Sequence, residues 1–145
     1  MAFKNHRFSR LELLVGREGL GRFRGKHVAV FGVGGVGSFA AEGMARAAVG
    51  KITLIDHDEV CVTNVNRQLH AFTDTVGEKK VALMAERIRR INPLLEVFAF
   101  PEHHHPEKGN ELLEQAEKAA GAPVDLVLDC IDTLAPKVDL IERCV

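Results

Sequence analysis

The sequence predicts an α/β fold: a doubly wound, mostly parallel sheet preceded by an N-terminal helix. Three observations carry this. An apolar run, Val28-Ala29-Val30-Phe31, enters a glycine cluster, Gly32-Val33-Gly34-Gly35-Val36-Gly37, and an Ala-rich amphipathic run follows. A second strand pattern over 51–55 ends in an acid, Asp56. The rest of the chain alternates in the order β-α-β-loop-α-β-α-β-α, with no internal repeat and no low-complexity tract. Together these describe a Rossmann-like architecture.

Composition sets the frame. At 145 residues there is room for one domain with a real core. A hydrophobic fraction of 46% and a charged fraction of 27% suit an ordinary soluble protein. The formal charge of −1 advertises no global basic field, although a local patch would suffice for an RNA partner. No apolar run approaches the roughly 20 residues needed to span a bilayer, and the start, MAFKNHRFSR, lacks the apolar core of a signal peptide. A cytoplasmic protein without a membrane partner is the expectation. Cys61, Cys130 and Cys144 are an odd set with no C-x-x-C pair, which suits reduced thiols and not a disulfide scaffold or a four-cysteine zinc site. Residues 140–145 stop inside an amphipathic pattern with no cap, as expected of the first part of a longer protein.

Residues 1–25 read as an N-terminal helical segment and 26–145 as the nucleotide-binding domain. Within the first, Phe8, Leu11, Leu14 and Val15 share a helical face, and Gly16, Gly19 and Gly21 break it soon after. Arg7 and Arg10, three apart, share a face; solvated surface arginines are the simplest reading. The strand at 27–31 shows no alternation, as expected when both faces are buried. The glycines let backbone amides approach a phosphate that Cβ atoms would block, and the helix over 37–49 aims its positive N-terminus at the same anion. A glycine-rich turn made only for close helix–strand packing is the alternative. Asp56, at the end of the second strand, can accept both ribose hydroxyls.

The loop after Asp58 carries Asn64, Asn66, Arg67 and Gln68. Asn and Gln offer donors and acceptors and Arg a fixed cationic fork, groups that suit triphosphate and acyl-phosphate chemistry. A capped surface loop with Asn in turns is the competing reading. An amphipathic helix over 78–91 buries Val81, Met84, Ala85 and Ile88, and Asn92-Pro93 stops it. Lys79 and Lys80 lie in its first turn, where cations oppose the helix dipole unless one reaches a phosphate. A third strand is expected over 95–100. The three histidines of Pro101-Glu102-His103-His104-His105-Pro106 then read as an exposed loop whose neighbours point apart, which argues against a metal site. A polar helix over 107–120 ends at Gly121-Ala122-Pro123. A fourth buried strand over 124–129 delivers Asp129, Cys130 and Asp132 to the ligand-binding edge, where a carboxylate is placed to hold Mg²⁺ against phosphates and Asp129 equally to cap the next turn. Thr133 to Pro136 starts the last helix.

This combination resembles the ThiF/MoeB/HesA superfamily of adenylating enzymes, related to the activating enzymes of ubiquitin-like proteins. The carrying residues are Arg7-x-x-Arg10, G-x-G-G-x-G at 32–37, D-x-D at 56–58, N-x-N-R-Q at 64–68, V-G-x-x-K at 76–80 and D-C-I-D at 129–132. The resemblance implies a fold that binds ATP and Mg²⁺, directs a carboxylate at the α-phosphate and releases pyrophosphate. It implies a phosphate loop of Gly32, Gly34, Gly35 and Gly37, a ribose acid at Asp56, and phosphate contacts from Asn64, Arg67 and Lys80. Asp58 and Gln68 join the nucleotide-binding set. Asp132 matches the magnesium-binding carboxylate, and Arg10 an arginine that reaches the neighbouring subunit's ATP site, which implies a homodimer. The wording D-E-V-C-V-T-N-V-N-R-Q-L-H-A and the later D-x-x-x-P-K, Asp132 to Lys137, is most similar to the TcdA/CsdL branch, the tRNA threonylcarbamoyladenosine dehydratases. That branch implies tRNA as substrate: ATP activates a carboxylate on the modified adenosine, a ring closes and AMP leaves. Competing functions are adenylation of the C-terminal glycine of a ThiS- or MoaD-like sulfur carrier protein, NAD-dependent oxidoreduction, for which Arg67, Lys80 and Asp132 are superfluous, and a non-catalytic nucleotide-binding fragment.

Overall fold

In the computed structural model, residues 5–108 and 110–145 are described. The elements run α1 (Ser9–Arg24), β1 (His27–Phe31), α2 (Gly37–Arg46), β2 (Lys51–Ile55), α3 (Lys80–Ile91), β3 (Glu96–Phe100), α4 (Glu111–Ala120), β4 (Leu126–Asp129) and α5 (Leu134–Cys144). The four strands form one parallel sheet in the order β3-β2-β1-β4. Phe31 pairs with Ile55 on one side and Asp129 on the other, so the strands' carboxyl ends finish together. Between β1 and β4 the chain's strand order reverses, and a ligand crevice opens at such a point.

Alternate strand residues supply two cores. Val28, Val30, Ile52 and Leu54 pack under α2 and α3 through Ala41, Ala45, Met84 and Ile88. Ala29, Phe31 and Ile55 pack under α4 and α5 through Leu112 and Leu140. With both faces covered, all five residues of β1 are buried, which explains the unbroken apolar run in the sequence. β4 departs from the expected buried strand. It is shorter, it forms an edge of the sheet, and Leu126 is 48% exposed because no described strand flanks its outer side.

The first helix also differs from expectation. Only Gly16 breaks it, with non-helical φ 72° and ψ 171°; Gly19 and Gly21 sit inside the helical run. Phe8 and Leu20 are buried against Ala48, with Leu11 and Val15 alongside, whereas Leu14 stands 84% exposed. Leu14, one residue before Val15 and so about 100° around the helix from it, falls outside the face that Phe8, Leu11 and Val15 share. α2 ends at Arg46, earlier than expected, because Ala48 adopts a left-handed φ of 64° to turn the chain under α1. A single 3-10 turn, Pro106–Lys108, replaces the expected start of α4, whose end is capped by Gly121 in the left-handed region. α3 begins at Lys80, one residue after Lys79. No helix among the described residues is long and apolar enough to cross a membrane.

The segment from Asp56 to Lys79 is irregular but well packed, and His70 lies within it at 2% exposure. Neither ring nitrogen has a hydrogen-bond partner among the described residues. Burial, reinforced by the nearby Lys80 charge, pushes its pKa down to about 4 from the ordinary 6.5. The unfolded chain therefore takes up this proton first as the pH falls. Relative to a His70→Leu variant, the chain should lose about 3 kcal/mol of stability between about pH 6.5 and 4, with no His70-dependent loss above that window. Urea midpoints across the pH range check this, and parallel profiles for the two proteins would refute it.

Candidate functional site

The four glycines of the turn divide into two kinds. A Cβ on Gly32, whose φ is 86°, would stand 2.6 Å from the carbonyl oxygen of Cys130. One on Gly37 would stand 1.8 Å from the carbonyl oxygen of Gly32. Gly32 serves the close passage of the turn by the segment after β4, and Gly37 the close approach of α2 to the end of β1, so the packing reading applies to both. Gly34 and Gly35 are open: their Cβ positions lie 3.8 Å from the Gln68 amide nitrogen and 3.5 Å from the Arg67 methylenes. They border a cleft of ≈ 880 Å³ at the strands' carboxyl ends, within the range of small-molecule sites. The N-terminus of α2 has no side-chain cap. The N–H groups of Gly34, Gly35 and Val36 donate to no described residue, whereas Val33 N–H is taken by Asp56. Free amides and a helix dipole aimed at one opening make an anion site.

Asp56, 8% exposed, ties this turn to β2. Its Oδ2 accepts from Val33 N–H at 2.7 Å and its Oδ1 from Asp58 N–H at 2.8 Å. Each oxygen keeps acceptor capacity for a hydroxyl. Lys80 points into the cleft with its side chain 7% exposed, and its Nζ donates to Asp58 Oδ2 at 2.6 Å. Burial opposes ionisation of Asp58, but the Lys80 hydrogen bond and charge prevail and hold its carboxyl below the usual range. Lys79 turns outward to Glu59 and to the His57 carbonyl, both at 3.1 Å. Asp56, His57 and Asp58 bring ligand atoms within 4.8 Å of one another, but Asp58 is already paired with the Lys80 ammonium.

The polar loop supplies both structure and site. Asn64 Oδ1 accepts from Cys61 N–H at 2.9 Å and closes a 3-10 turn, so part of its role is the capping one. Exposed Arg67 donates to Thr63 O at 2.9 Å and Asn66 Oδ1 at 3.0 Å, which orients its guanidinium at the cleft rim. Gln68, 7% exposed, has an Oε1 with no partner among the described residues. A buried acceptor left open beside Gly34 fits an external donor such as a nucleotide hydroxyl or water.

Of the carboxylates after β4, Asp129 is engaged: Oδ1 accepts from Ile131 N–H at 3.1 Å and Oδ2 from Lys137 at 2.6 Å. Asp132 is exposed at the cleft rim and hydrogen-bonds no described residue, so both its oxygens can serve a hard cation. Burial pushes the Cys130 thiol pKa up, which keeps it protonated and unreactive. Arg10 is exposed on α1, away from the cleft of its own chain, with no ion pair among the described residues.

The histidine loop corrects the sequence expectation. His103 and His105 are exposed, but His104 is buried. His57, His103, His104 and Phe39 all line the cleft, and none was singled out from the sequence as a site residue. The signal for the histidines is positional: His57 comes just after Asp56 at the end of β2 and His103 closely follows β3, at the edge where open sheets bind ligands.

With this geometry in hand, the chain can be set beside known proteins. Residues 8–145 match the model of the ThiF family. The chain is 48% identical over 139 residues to the tRNA threonylcarbamoyladenosine dehydratase of Bacillus subtilis, a match covering 96% of this chain and 52% of that protein. It is 44% identical over 138 residues to that of Escherichia coli, covering 95% and 49%. The crystal structure of the Escherichia coli enzyme in complex with ATP superposes with a TM-score of 0.85 at 43% identity, covering 95% of this chain and 54% of that one. Similarity extends to ubiquitin-like modifier-activating enzyme 5 of Drosophila melanogaster, 36% identical over 127 residues, covering 85% of this chain and 31% of that protein. The chain spans about half the length of the dehydratases it matches.

The two kinds of glycine separate experimentally. Gly37→Ala should cost upwards of about 3 kcal/mol and prevent stable folding, since backbone and not a movable side chain blocks the methyl group. Gly34→Ala should leave the thermal midpoint within a few degrees yet weaken binding of inorganic pyrophosphate about tenfold by intruding on the anion site. Thermal melts and calorimetric titration distinguish them, and equal melting losses would refute the division.

Proposed function

The chain belongs to the ThiF family, and we propose that it binds ATP with Mg²⁺ in this cleft and adenylates a carboxylate, that of threonylcarbamoyladenosine in tRNA, to drive its cyclising dehydration. The observation that carries the reading is the 48% and 44% identity to two dehydratases of that name, over nearly the whole of this chain. The uncapped amides of the glycine turn and the open Oε1 of Gln68 support a nucleotide there, and the charged walls of Arg67 and Lys80 support a triphosphate, because phosphoryl chemistry needs cations that hydride transfer does not.

In this reading Gly34, Gly35 and the N-terminus of α2 receive phosphate oxygens, and Asp56 with Gln68 receives the ribose. Asn64 offers its remaining amide donors. Arg67 and Lys80 stabilise charge on the α-phosphate as the substrate carboxylate attacks it and pyrophosphate departs. Lys80 starts paired with Asp58, and its three N–H donors allow it to serve carboxylate and phosphate together. Asp132 has the open hard-oxygen donors that Mg²⁺ takes, and that ion neutralises phosphate charge when bound. The carbamoyl nitrogen then attacks the activated carbonyl, loses its proton, closes the ring and expels AMP. Arg10, unpaired among the described residues and remote from its own cleft, is assigned to the cleft of a second copy in a homodimer.

Pyrophosphate release from ATP tests the reading. Threonylcarbamoyl-modified tRNA should stimulate it, and unmodified tRNA or a ThiS-like carrier protein should not. Stimulation by the carrier alone would move the function to sulfur-carrier activation. Arg67→Ala and Lys80→Ala should each cost about 3 kcal/mol of transition-state binding, on the order of 10²-fold in rate, by analogy with lost oxyanion donors. Unchanged turnover in either variant would refute the phosphate assignment.

A further inference from the structure

His104 stands where three walls of the cleft meet. Its ring is edge-on to Phe31, with centroids 5.4 Å apart and an interplanar angle of 81°, and Phe31 is the last strand residue before the glycine turn. It belongs to the loop after β3 that carries Glu102 and His103 along the cleft. Its Nε2 lies 2.9 Å from Asp139 Oδ2, on α5 about two turns beyond Asp132. Arg143 grips the same carboxylate through Nε and Nη2, each at 2.7 Å, and Nη2 also donates to the Pro106 carbonyl at 3.1 Å. One buried imidazole therefore joins the end of β1, the loop after β3 and the helix that follows Asp132.

The protonation pattern suits a fixed strut. Burial pushes the His104 pKa down, and the opposing pull of Asp139 does not overcome it. The Arg143 guanidinium holds the Asp139 carboxyl below its usual range. An ionised Asp139 can only accept, so the neutral ring carries its hydrogen on Nε2 and donates it. The Asp139 charge is answered by Arg143 without requiring a second cation at His104.

We propose that His104 is a positioning residue of the nucleotide site, fixing the middle of α5 against the loop after β3 through its hydrogen bond to Asp139, and so holding the segment that leads into this helix, with Asp132, opposite the glycine turn. The proposal rests on the ATP and Mg²⁺ reading above. It differs from a histidine that merely fills the core, because the donated hydrogen bond and not the volume is what matters.

Equilibrium binding of ATP and its Mg²⁺ dependence, measured on the full chain, tests this. His104→Leu keeps the volume and removes the donor; His104→Gln keeps an N–H near the same place. The Leu variant should bind ATP about tenfold more weakly and need more Mg²⁺ for half-saturation, while the Gln variant stays within about threefold of the unaltered chain. Leu binding as tightly as the unaltered chain, or Gln failing as badly as Leu, would overturn the proposal. If His104→Leu does not fold, Asp139→Ala removes the acceptor with the ring in place; it should show the same Mg²⁺ shift, and normal behaviour would again overturn the proposal. An unaltered chain that binds no ATP would overturn the nucleotide reading and this proposal with it, whereas normal ATP binding that is insensitive to these variants would overturn this proposal alone.

Discussion

The close approach of α2 to the end of β1 is the constraint on which the site depends. Any side chain at Gly32 or Gly37 would collide with backbone, of Cys130 in one case and of Gly32 in the other. The bare Cα of Gly37 lets the helix descend onto the end of β1, that of Gly32 lets the turn pass close to the chain after β4, and the free amides of the helix N-terminus then face the cleft. Asp56 fixes the geometry from the other side by holding Val33 N–H. The turn is thus clamped between β2 and β4, and the open amides sit in a cradle fixed before any ligand arrives. Pre-organised donors of this kind need little rearrangement when an anion binds.

Charge is arranged around that cradle in compensated groups. Lys80 is matched by Asp58, Asp129 by Lys137, and Asp139 by Arg143. Each pairing satisfies a partly buried group that would otherwise be costly to keep ionised. Along the cleft, the amides of Gly34 to Val36, Gln68 Oε1 and Asp132 have no partner among the described residues and mark the opening. Their chemistry, donors facing an anion and a carboxylate facing a cation, is complementary to a magnesium–phosphate ligand. The same reasoning separates Asp132 from Asp129, whose oxygens are taken by Ile131 N–H and Lys137.

Much of the fold was legible because both faces of the sheet are covered. Continuous apolar strands, a glycine turn and amphipathic helices each carry their own local signal, and strand follows helix in the expected order. The misjudged places are those where a distant contact decides. The apolar pattern puts Leu14 on the buried face, yet Phe8, Leu11 and Val15 alone turn toward Ala48, and it reads β4 as buried although β4 ends the sheet. His104 was placed on an exposed loop, yet Phe31 and Asp139, far away in the chain, draw it inside. Nothing adjacent to His104 in the sequence distinguishes it from His103 or His105.

The sequence by itself determined the parallel α/β class and the glycine turn, and it singled out Asp56, Asn64, Arg67, Gln68, Lys80 and Asp132, which the structure gathers along one cleft, all but Asn64 and Gln68 being charged. It did so because residue type and spacing limit what backbone and side chains can do locally. Only the tertiary structure decided how labour is divided within that set. It separated the packing glycines from the open ones, turned Lys80 inward and Lys79 outward, and engaged Asp129 while leaving Asp132 free. Those choices follow from which atoms meet across the sheet edge, and such meetings are set by the packing of α2, α3 and α5 and not by any one segment.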